Sequence, residues 1–371
     1  MRTIDAMALI LKKEGIEFLS AFPTTAVIEA VAESGVRPVI CRQERVGVHI
    51  ADGFARVTNG RKASVFAMQY GPGAENAYPG VATAFSDSVP MLFLPLGHPS
   101  AREGVTPMYS SLKSYDSVTK HIERVNSPER AGASLRRAFS AMRMGKPGPA
   151  MLEIPADIAV QDVDPSIVDA YVPVKTAVSS ADENDVMAAA KALLDARRPL
   201  LVAGQGVLYA EASAELTELA ELLQIAVSTT MAGKSAFSEM HPLSVGSVSE
   251  VMNGAALEYM RESDVLFGIG TSFTIQGMVT PYPAGKTLIH ATNDPVDLHK
   301  DYIAGHPLLG DARLVLRQMI EACEELLSTR ERETPDTAAR IAALRSAWYG
   351  EWESKLTSSE SPITPYRVLG E

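Results

Sequence analysis

Along the first 160 positions, short apolar runs alternate with stretches whose apolar residues recur every three or four positions. Ala6, Ile10 and Leu11 share one face of a helix predicted over 4–13, which Gly15 stops. Strands are predicted at 18–22, 38–41, 63–68, 90–96 and 150–154. Helices are predicted between them at 26–34, 45–58, 72–85 and 128–144. The run at 90–96 is apolar at nearly every position, as suits a strand covered on both faces. This alternation predicts an open parallel sheet with helices on both sides.

The rhythm is lost over 161–182, where Asp, Val, Pro and Ser accumulate, and this stretch reads as an interdomain linker. A second series then begins. Helices are expected at 183–196, 210–223, 253–263 and 314–327, with strands at 199–203, 225–228, 265–269 and 286–290. The composition turns polar after 327, and one helix is expected at 337–356. The fold class is therefore α/β. Two doubly wound parallel-sheet domains, 1–160 and a Rossmann-like 183–330, are followed by a helical linker at 331–371.

Composition narrows the function. The chain has 371 residues, with 34 Lys plus Arg against 45 Asp plus Glu, a net charge of −11. An acidic chain without a basic run does not suit nucleic acid or an anionic membrane. Two cysteines, Cys41 and Cys323, are too few for a disulfide framework or a zinc cluster. No apolar run approaches the ~20 residues of a membrane span. The first fifteen residues carry charges inside their apolar stretch, unlike a signal peptide, so a cytoplasmic protein is expected.

Three places could carry chemistry. Glu44 lies where an apolar strand gives way to a helix, although an acid there is also what a helix dipole favours. Gly71-Pro72-Gly73 lets a ligand approach the backbone at the start of a helix, although turns need glycine anyway. His98 follows an apolar strand and could shuttle protons near neutral pH, or simply be satisfied by loop backbone. Further on, Gly204-Gln205-Gly206 is part of a dinucleotide fingerprint whose third glycine position is Tyr209.

The order and content of two segments resemble the acetolactate-synthase-like family of thiamine diphosphate enzymes. They are Arg42-Gln43-Glu44 with Ala51-Asp52-Gly53-Phe54-Ala55-Arg56, and Gly71-Pro72-Gly73-Ala74-Glu75-Asn76 with Asp87-Ser88-Val89-Pro90. The resemblance continues through Lys120-His121, Lys146-Pro147-Gly148-Pro149, the LEIPADI of 152–158 and Asn293-Asp294-Pro295. It departs at Pro23-Thr24-Thr25, where the synthases resemble P-G-G, and at His98, where they resemble G-Q.

What the resemblance implies is a thiamine diphosphate enzyme that makes or breaks a C–C bond beside a carbonyl. Acetolactate-type carboligation, 2-oxo acid decarboxylation and 2-hydroxyacyl-CoA cleavage are all compatible with it, and the departure at Pro23-Thr24-Thr25 favours a lyase or decarboxylase. Glu44 would hydrogen-bond the cofactor's pyrimidine ring, with Pro23, Gly71, Pro72 and Asn76 around it and His98 toward the substrate. The resemblance implies no flavin, because Thr271-Ser272-Phe273-Thr274 stands where flavin-binding members carry an R-F-D-D-like run. The family's Mg²⁺-diphosphate motif begins with G-D-G, which does not occur in this sequence. The expectation is a large subunit, dimeric at its core, with no metal ligand of its own. A small partner subunit would supply the Mg²⁺-diphosphate domain. A non-catalytic scaffold derived from such an enzyme, or a truncated product, are the other readings.

Overall fold

The computed structural model describes residues 1–249, 252–277, 279–330, 333 and 335–371. The chain forms two compact units, 1–177 and 178–371.

The first unit runs α1 (Thr3–Lys13), β1 (Phe18–Ala21), α2 (Thr25–Ser34), β2 (Arg37–Ile40), α3 (Glu44–Val57), β3 (Ser64–Met68), α4 (Pro72–Ser86) and β4 (Met91–Gly97). It continues through α5 (Ser111–Tyr115), β5 (His121–Arg124), α6 (Ala131–Arg143), β6 (Ala150–Pro155) and the short α7 (Ala156–Ala159) and α8 (Ser166–Asp169). Its sheet has the order β2-β1-β3-β4-β6-β5, and every pairing is parallel. Alternation along each strand feeds two cores. Val65 and Ala67 face α1, α2 and α6, while Phe66 and Met68 face α3 and α4. β5 was not expected from the pattern. It is a half-buried edge strand reading HIER, which carries no apolar run.

The expected linker does not hang free over its first half. Val163, Val168 and Tyr171 are buried in the first core. The fully buried Glu14 carboxylate accepts from the Tyr171 hydroxyl (2.5 Å), Arg143 Nη1 (2.6 Å) and the Val174 amide (3.2 Å), which fastens the segment to α1 and α6. Burial works against the Tyr171 phenolate, and the adjoining carboxylate adds to it, so the hydroxyl remains a donor.

The second unit contains α9 (Glu183–Asp195), β7 (Pro199–Ala203), α10 (Gln205–Tyr209), α11 (Ser213–Leu223), β8 (Ala226–Thr229), β9 (Ser244–Ser247) and α12 (Gly254–Glu262). β10 (Val265–Ile269), β11 (Thr287–Thr292), β12 (His306–Leu309), α13 (Ala312–Thr329), α14 (Thr337–Leu356) and α15 (Pro365–Gly370) follow. The order β12-β11-β10-β7-β8-β9, again all parallel, is that of a Rossmann sheet. The expected C-terminal linker helix, α14, belongs to this unit. Ile341 is buried in its core, the Thr337 hydroxyl donates to Gln224 O (2.6 Å), and Arg345 donates to Ser244 O (2.7 Å). Positions 331, 332 and 334 of the expected linker lie outside the described residues.

Candidate active site

In the first sheet the chain steps from β1 outward to β2, then returns to lay β3 on the other side of β1. Such a reversal opens a crevice at the carboxyl ends of the strands. The helices α2, α3 and α4 each start there, so three partly positive N-termini face one region.

Glu44 is the first residue of α3 and is only 5% exposed. Its Oε2 accepts a hydrogen bond of 2.6 Å from Asn76 Nδ2 on α4. Among the described residues no donor reaches Oε1. What adjoins Oε1 is Gly73, where an added Cβ would stand 3.3 Å from that oxygen and 2.9 Å from Gln69 Cγ. The three residues of the Gly71-Pro72-Gly73 turn thus have separate jobs. Gly71 takes a φ of +61°, Pro72 opens the helix with a preset φ, and Gly73 keeps one side of the carboxylate clear. A buried carboxylate gripped on one oxygen and open on the other can exchange a proton with a ring nitrogen placed beside it.

The A-D-G-F-A-R and D-S-V-P motifs meet, but away from that carboxylate. Arg56 donates to Asp52 Oδ2 (2.8 Å) one turn back and to Asp87 Oδ2 (2.7 Å) at the end of α4. Burial disfavours the guanidinium's charge, yet the two carboxylates outweigh this and hold its pKa above the usual value. Close contact between the helices comes from Gly80, where a Cβ would lie 2.4 Å from Val48 Cγ1. The Arg56–Asp87 pair and Gly80 thus join α3 to α4, the two helices that carry Glu44 and Asn76.

Of the other expected site residues, Gly71 and Pro72 lie at the head of the helix that carries Asn76. Pro23 is exposed beyond the end of β1. His98 stands beyond β4, and its ring meets Tyr70 with centroids 4.4 Å apart rather than Glu44. Its Nε2 is buried without a hydrogen-bond partner among the described residues. The backbone below is pinned. Arg124 donates to His98 O (3.3 Å) and pairs with Glu103 and, at 3.4 Å, with Glu153. Glu153 occupies the space a Cβ on Gly97 would need, and burial raises its pKa in spite of Arg124. Tyr70 precedes the glycine turn and Glu153 lies in the LEIPADI segment, but neither they nor Arg124 stood out as site residues in the sequence. His121 faces Glu123 (3.3 Å) on β5, within an ion cluster completed by Arg137.

The second sheet reverses between β7 and β10, but its crevice is lined by backbone. A Cβ on Gly204 would lie 2.2 Å from Gly270 O, one on Gly206 2.7 Å from Gly270 Cα, and one on Gly233 2.4 Å from Ala203 O. After β10 the chain turns back, and the Phe273 ring takes the space beside Gly268, where a Cβ would lie 1.9 Å from it. The same ring packs edge-on against His290, 4.9 Å away, and against Tyr282. Among the described residues, no cluster of three or more His, Cys, Asp or Glu could hold a metal, and no helix is long and apolar enough to cross a membrane.

Residues 1–122 match the thiamine pyrophosphate enzyme N-terminal TPP binding domain, and residues 186–319 match the thiamine pyrophosphate enzyme central domain. A probable acetolactate synthase large subunit from Methanocaldococcus jannaschii is 33% identical over 348 residues, which are 90% of this chain and 58% of that protein. One from Methanococcus aeolicus is 32% identical over 393 residues, 100% of this chain and 64% of that protein. The glyoxylate carboligase of Escherichia coli O157:H7 is 28% identical over 391 residues, 100% of this chain and 63% of that protein. The chain spans about three-fifths of the length of these relatives.

Proposed function

The chain belongs to the thiamine pyrophosphate enzyme family, whose N-terminal and central domains it carries, and from this premise we propose that it is the pyrimidine-binding part of an enzyme that makes or breaks a C–C bond beside a carbonyl. The observation that carries the proposal is the Glu44 carboxylate, held on one oxygen by Asn76 and open on the other beside Gly73. That arrangement fits the aminopyrimidine of thiamine diphosphate. When bound, the cofactor supplies a thiazolium carbon and an electron sink for the C–C step. Glu44 Oε1 would hold a proton against the ring nitrogen remote from the amino group, Asn76 would fix the carboxylate's plane, and Gly71 and Pro72 would bring the α4 backbone close. Pro23 closes the β1 side, and His98 faces the substrate.

In this reading the Mg²⁺ and diphosphate are held by a further domain on a separate small subunit, and two copies of this chain form the core of a cytoplasmic assembly. The second unit serves as scaffold. Its post-β10 segment offers Phe273 packed on its own sheet, which does not fit a flavin, and no flavin step is assigned. Among reactions, the carboligases named for the relatives favour carboligation, with decarboxylation and 2-hydroxyacyl-CoA cleavage using the same residues. A non-catalytic subunit would have no use for a buried acid open on one side.

Titration calorimetry of this chain with thiamine diphosphate, with and without a diphosphate-binding partner, tests the assignment. Weak binding alone and tight, Mg²⁺-dependent binding in the complex are expected. Micromolar affinity without a partner would count against the divided site, and no binding in either setting would sink the cofactor assignment.

A further inference from the structure

The two helices that end the second unit are packed unlike the rest of it. Along α14, Thr337, Ile341, Leu344, Trp348, Trp352 and Leu356 recur every three or four residues and form one stripe. The first half of that stripe lies on its own unit. Ile341 and Leu344 join the core, and the Trp348 ring fills the space beside Gly254, where a Cβ would lie 2.5 Å from Trp348 Cδ1. The second half meets α15. The rings of Trp352 and Tyr366 have centroids 5.6 Å apart, and a Cβ on Gly370 would lie 2.5 Å from Leu356 O. Lys355 Nζ stands 4.4 Å from the Trp352 ring centre and 5.3 Å from that of Tyr366.

α15 is turned the wrong way for a helix at the rim of its own unit. Its bonds to the preceding chain are polar. Arg367 Nη1 donates to Thr357 O (3.1 Å), and the Thr364 hydroxyl oxygen accepts from the Arg367 amide (3.2 Å). Within Pro365–Gly370, Arg367 alone is not exposed. The side left open is apolar. Ile363, just before the helix, is 63% exposed, Val368 59% and Leu369 81%, and Tyr366 is exposed beside them. A helix this short is marginal in water by itself, and apolar side chains facing solvent do nothing to hold it. Contiguous open apolar surface of this kind marks a place of contact with another polypeptide.

We propose that the apolar side of α15, formed by Ile363, Tyr366, Val368 and Leu369, packs into the core of the separate diphosphate-binding subunit, so that this chain donates a helix to its partner. The relatives carry about two-fifths of their length outside the match to this chain. The matched domains are the N-terminal and central ones, so that portion follows α15 in chain order, and α15 is the element nearest to it. A second copy of the chain is a poorer occupant. Four side chains on one short helix fall short of the roughly 800 Å² per partner that a stable interface buries. A whole domain can add contacts of its own around the helix. The inference rests on the divided-enzyme reading for the identity of the partner, but the surface contains none of the residues placed at the cofactor.

The probe is the part of the Methanococcus aeolicus relative that lies outside its match to this chain, made as a separate polypeptide and checked for fold by circular dichroism. It is titrated onto the full chain and its Val368→Asp, Leu369→Asp and Val296→Asp variants. The chain's two tryptophans, Trp348 and Trp352, both lie on α14, so their fluorescence reports the docking directly. Val296 is exposed elsewhere on the second unit and serves as control. Val368→Asp and Leu369→Asp should weaken binding by roughly tenfold or more, as a charge forced into an apolar contact does, while Val296→Asp has no effect. Melting temperatures of the free chains should not change. A fall in that of Leu369→Asp would show that the unit already uses this side, and would overturn the proposal without any partner. Binding unaltered by both substitutions, or a folded probe that does not bind, would overturn it too. So would self-association of the chain that Leu369→Asp abolishes, which would give the surface to a second copy. Thiamine diphosphate is titrated into the same complex. If it fails to bind while docking responds to Leu369→Asp, the cofactor reading falls and the docking surface stands.

Discussion

The two units share a plan and differ in what they leave open. Both are six-stranded parallel sheets whose strand order reverses beside the first strand, with glycine following β3 in the first and both β7 and β10 in the second. In the first unit a buried carboxylate there is gripped on one side, and two buried polar atoms, Thr24 Oγ1 and His98 Nε2, have no partners among the described residues. In the second, glycine backbone packs on glycine backbone, and Phe273 and His290 fill the next layer. Burial lowers the pKa of His290 and keeps it neutral, with Nε2 already used by Thr271 O at 2.8 Å. The third orphan atom, Glu215 Oε2, lies on α11 beside Arg313 and Arg317 and not at the crevice. A switch point is therefore a place where a site can be built. Unsatisfied side chains decide whether one has been.

The sharpest break would come from Glu44→Gln. Gln keeps the volume and one hydrogen bond but cannot hold the acid proton. In the complex with a diphosphate-binding partner, thiazolium C2 proton–deuterium exchange should slow roughly 10²–10⁴-fold, the scale of a general acid–base group. The circular dichroism spectrum should stay unchanged. An unaltered exchange rate in a folded variant would make the two crevices equivalent and remove the basis of the comparison.

Glycine-to-alanine changes should separate the crevices in kind. Gly204→Ala forces a methyl to within 2.2 Å of a backbone oxygen that cannot move alone, so stability should fall by about 1–3 kcal/mol or more. Gly73→Ala meets the flexible Gln69 side chain at 2.9 Å and Glu44 Oε1 at 3.3 Å. Its melting temperature should change little while thiamine diphosphate affinity drops. Similar losses of stability in both, measured by denaturant titration, would contradict the distinction between a packed crevice and an open one.

Arg56→Ala tests whether the α3–α4 tie serves the site. Because this arginine is partly solvated, the loss should be modest, roughly 1 kcal/mol. Cofactor affinity should fall as well, since Glu44 and Asn76 sit on the two helices it joins. A stability loss with unchanged affinity would show that the Glu44–Asn76 pair is set independently of the motif.

The smallest effect concerns a carboxylate that is fully partnered. Burial opposes ionisation of Glu123, yet Arg137 and Ser134 outweigh it and lower its pKa to about 2 from an ordinary 4.5. The folded state then binds the proton less readily than the unfolded chain. Glu123 thus contributes stability that is complete above about 4.5 and is lost as pH falls toward 2. Melting curves across that window should show a slope that Glu123→Gln reduces. An identical slope in the variant would assign the acid sensitivity to other groups.

Local pattern carried much of the fold. The apolar runs of β3, β6, β7 and β10 are buried throughout and that of β4 at every position but Leu96, as suits strands covered on both faces. Three of the four short edge strands escaped it, while β2 was expected. β5 (HIER), β9 (SVGS) and β12 (HPLL) are made by pairing with a neighbour, and four residues at an edge need no hydrophobic run. The α/β class of both units followed from the βα rhythm. The placement of β6 between β4 and β5 in the first did not, because strand order is a long-range choice that leaves no period in the chain.

The sequence placed Glu44, Asn76 and the glycine turn together only through the resemblance its motifs carry, while the strand end, the helix start and the positive-φ glycine are local features it determined directly. Only the tertiary structure decided that Arg56 and Asp87 bind helix to helix, that Glu14 gathers Tyr171 and Val174 onto α1, and that α14 completes the second core. It alone also showed Thr24 Oγ1 and His98 Nε2 to be without partners among the described residues. The physical reason is that a residue's chemistry is written in its side chain, whereas whether that chemistry is already satisfied depends on neighbours brought from distant parts of the chain.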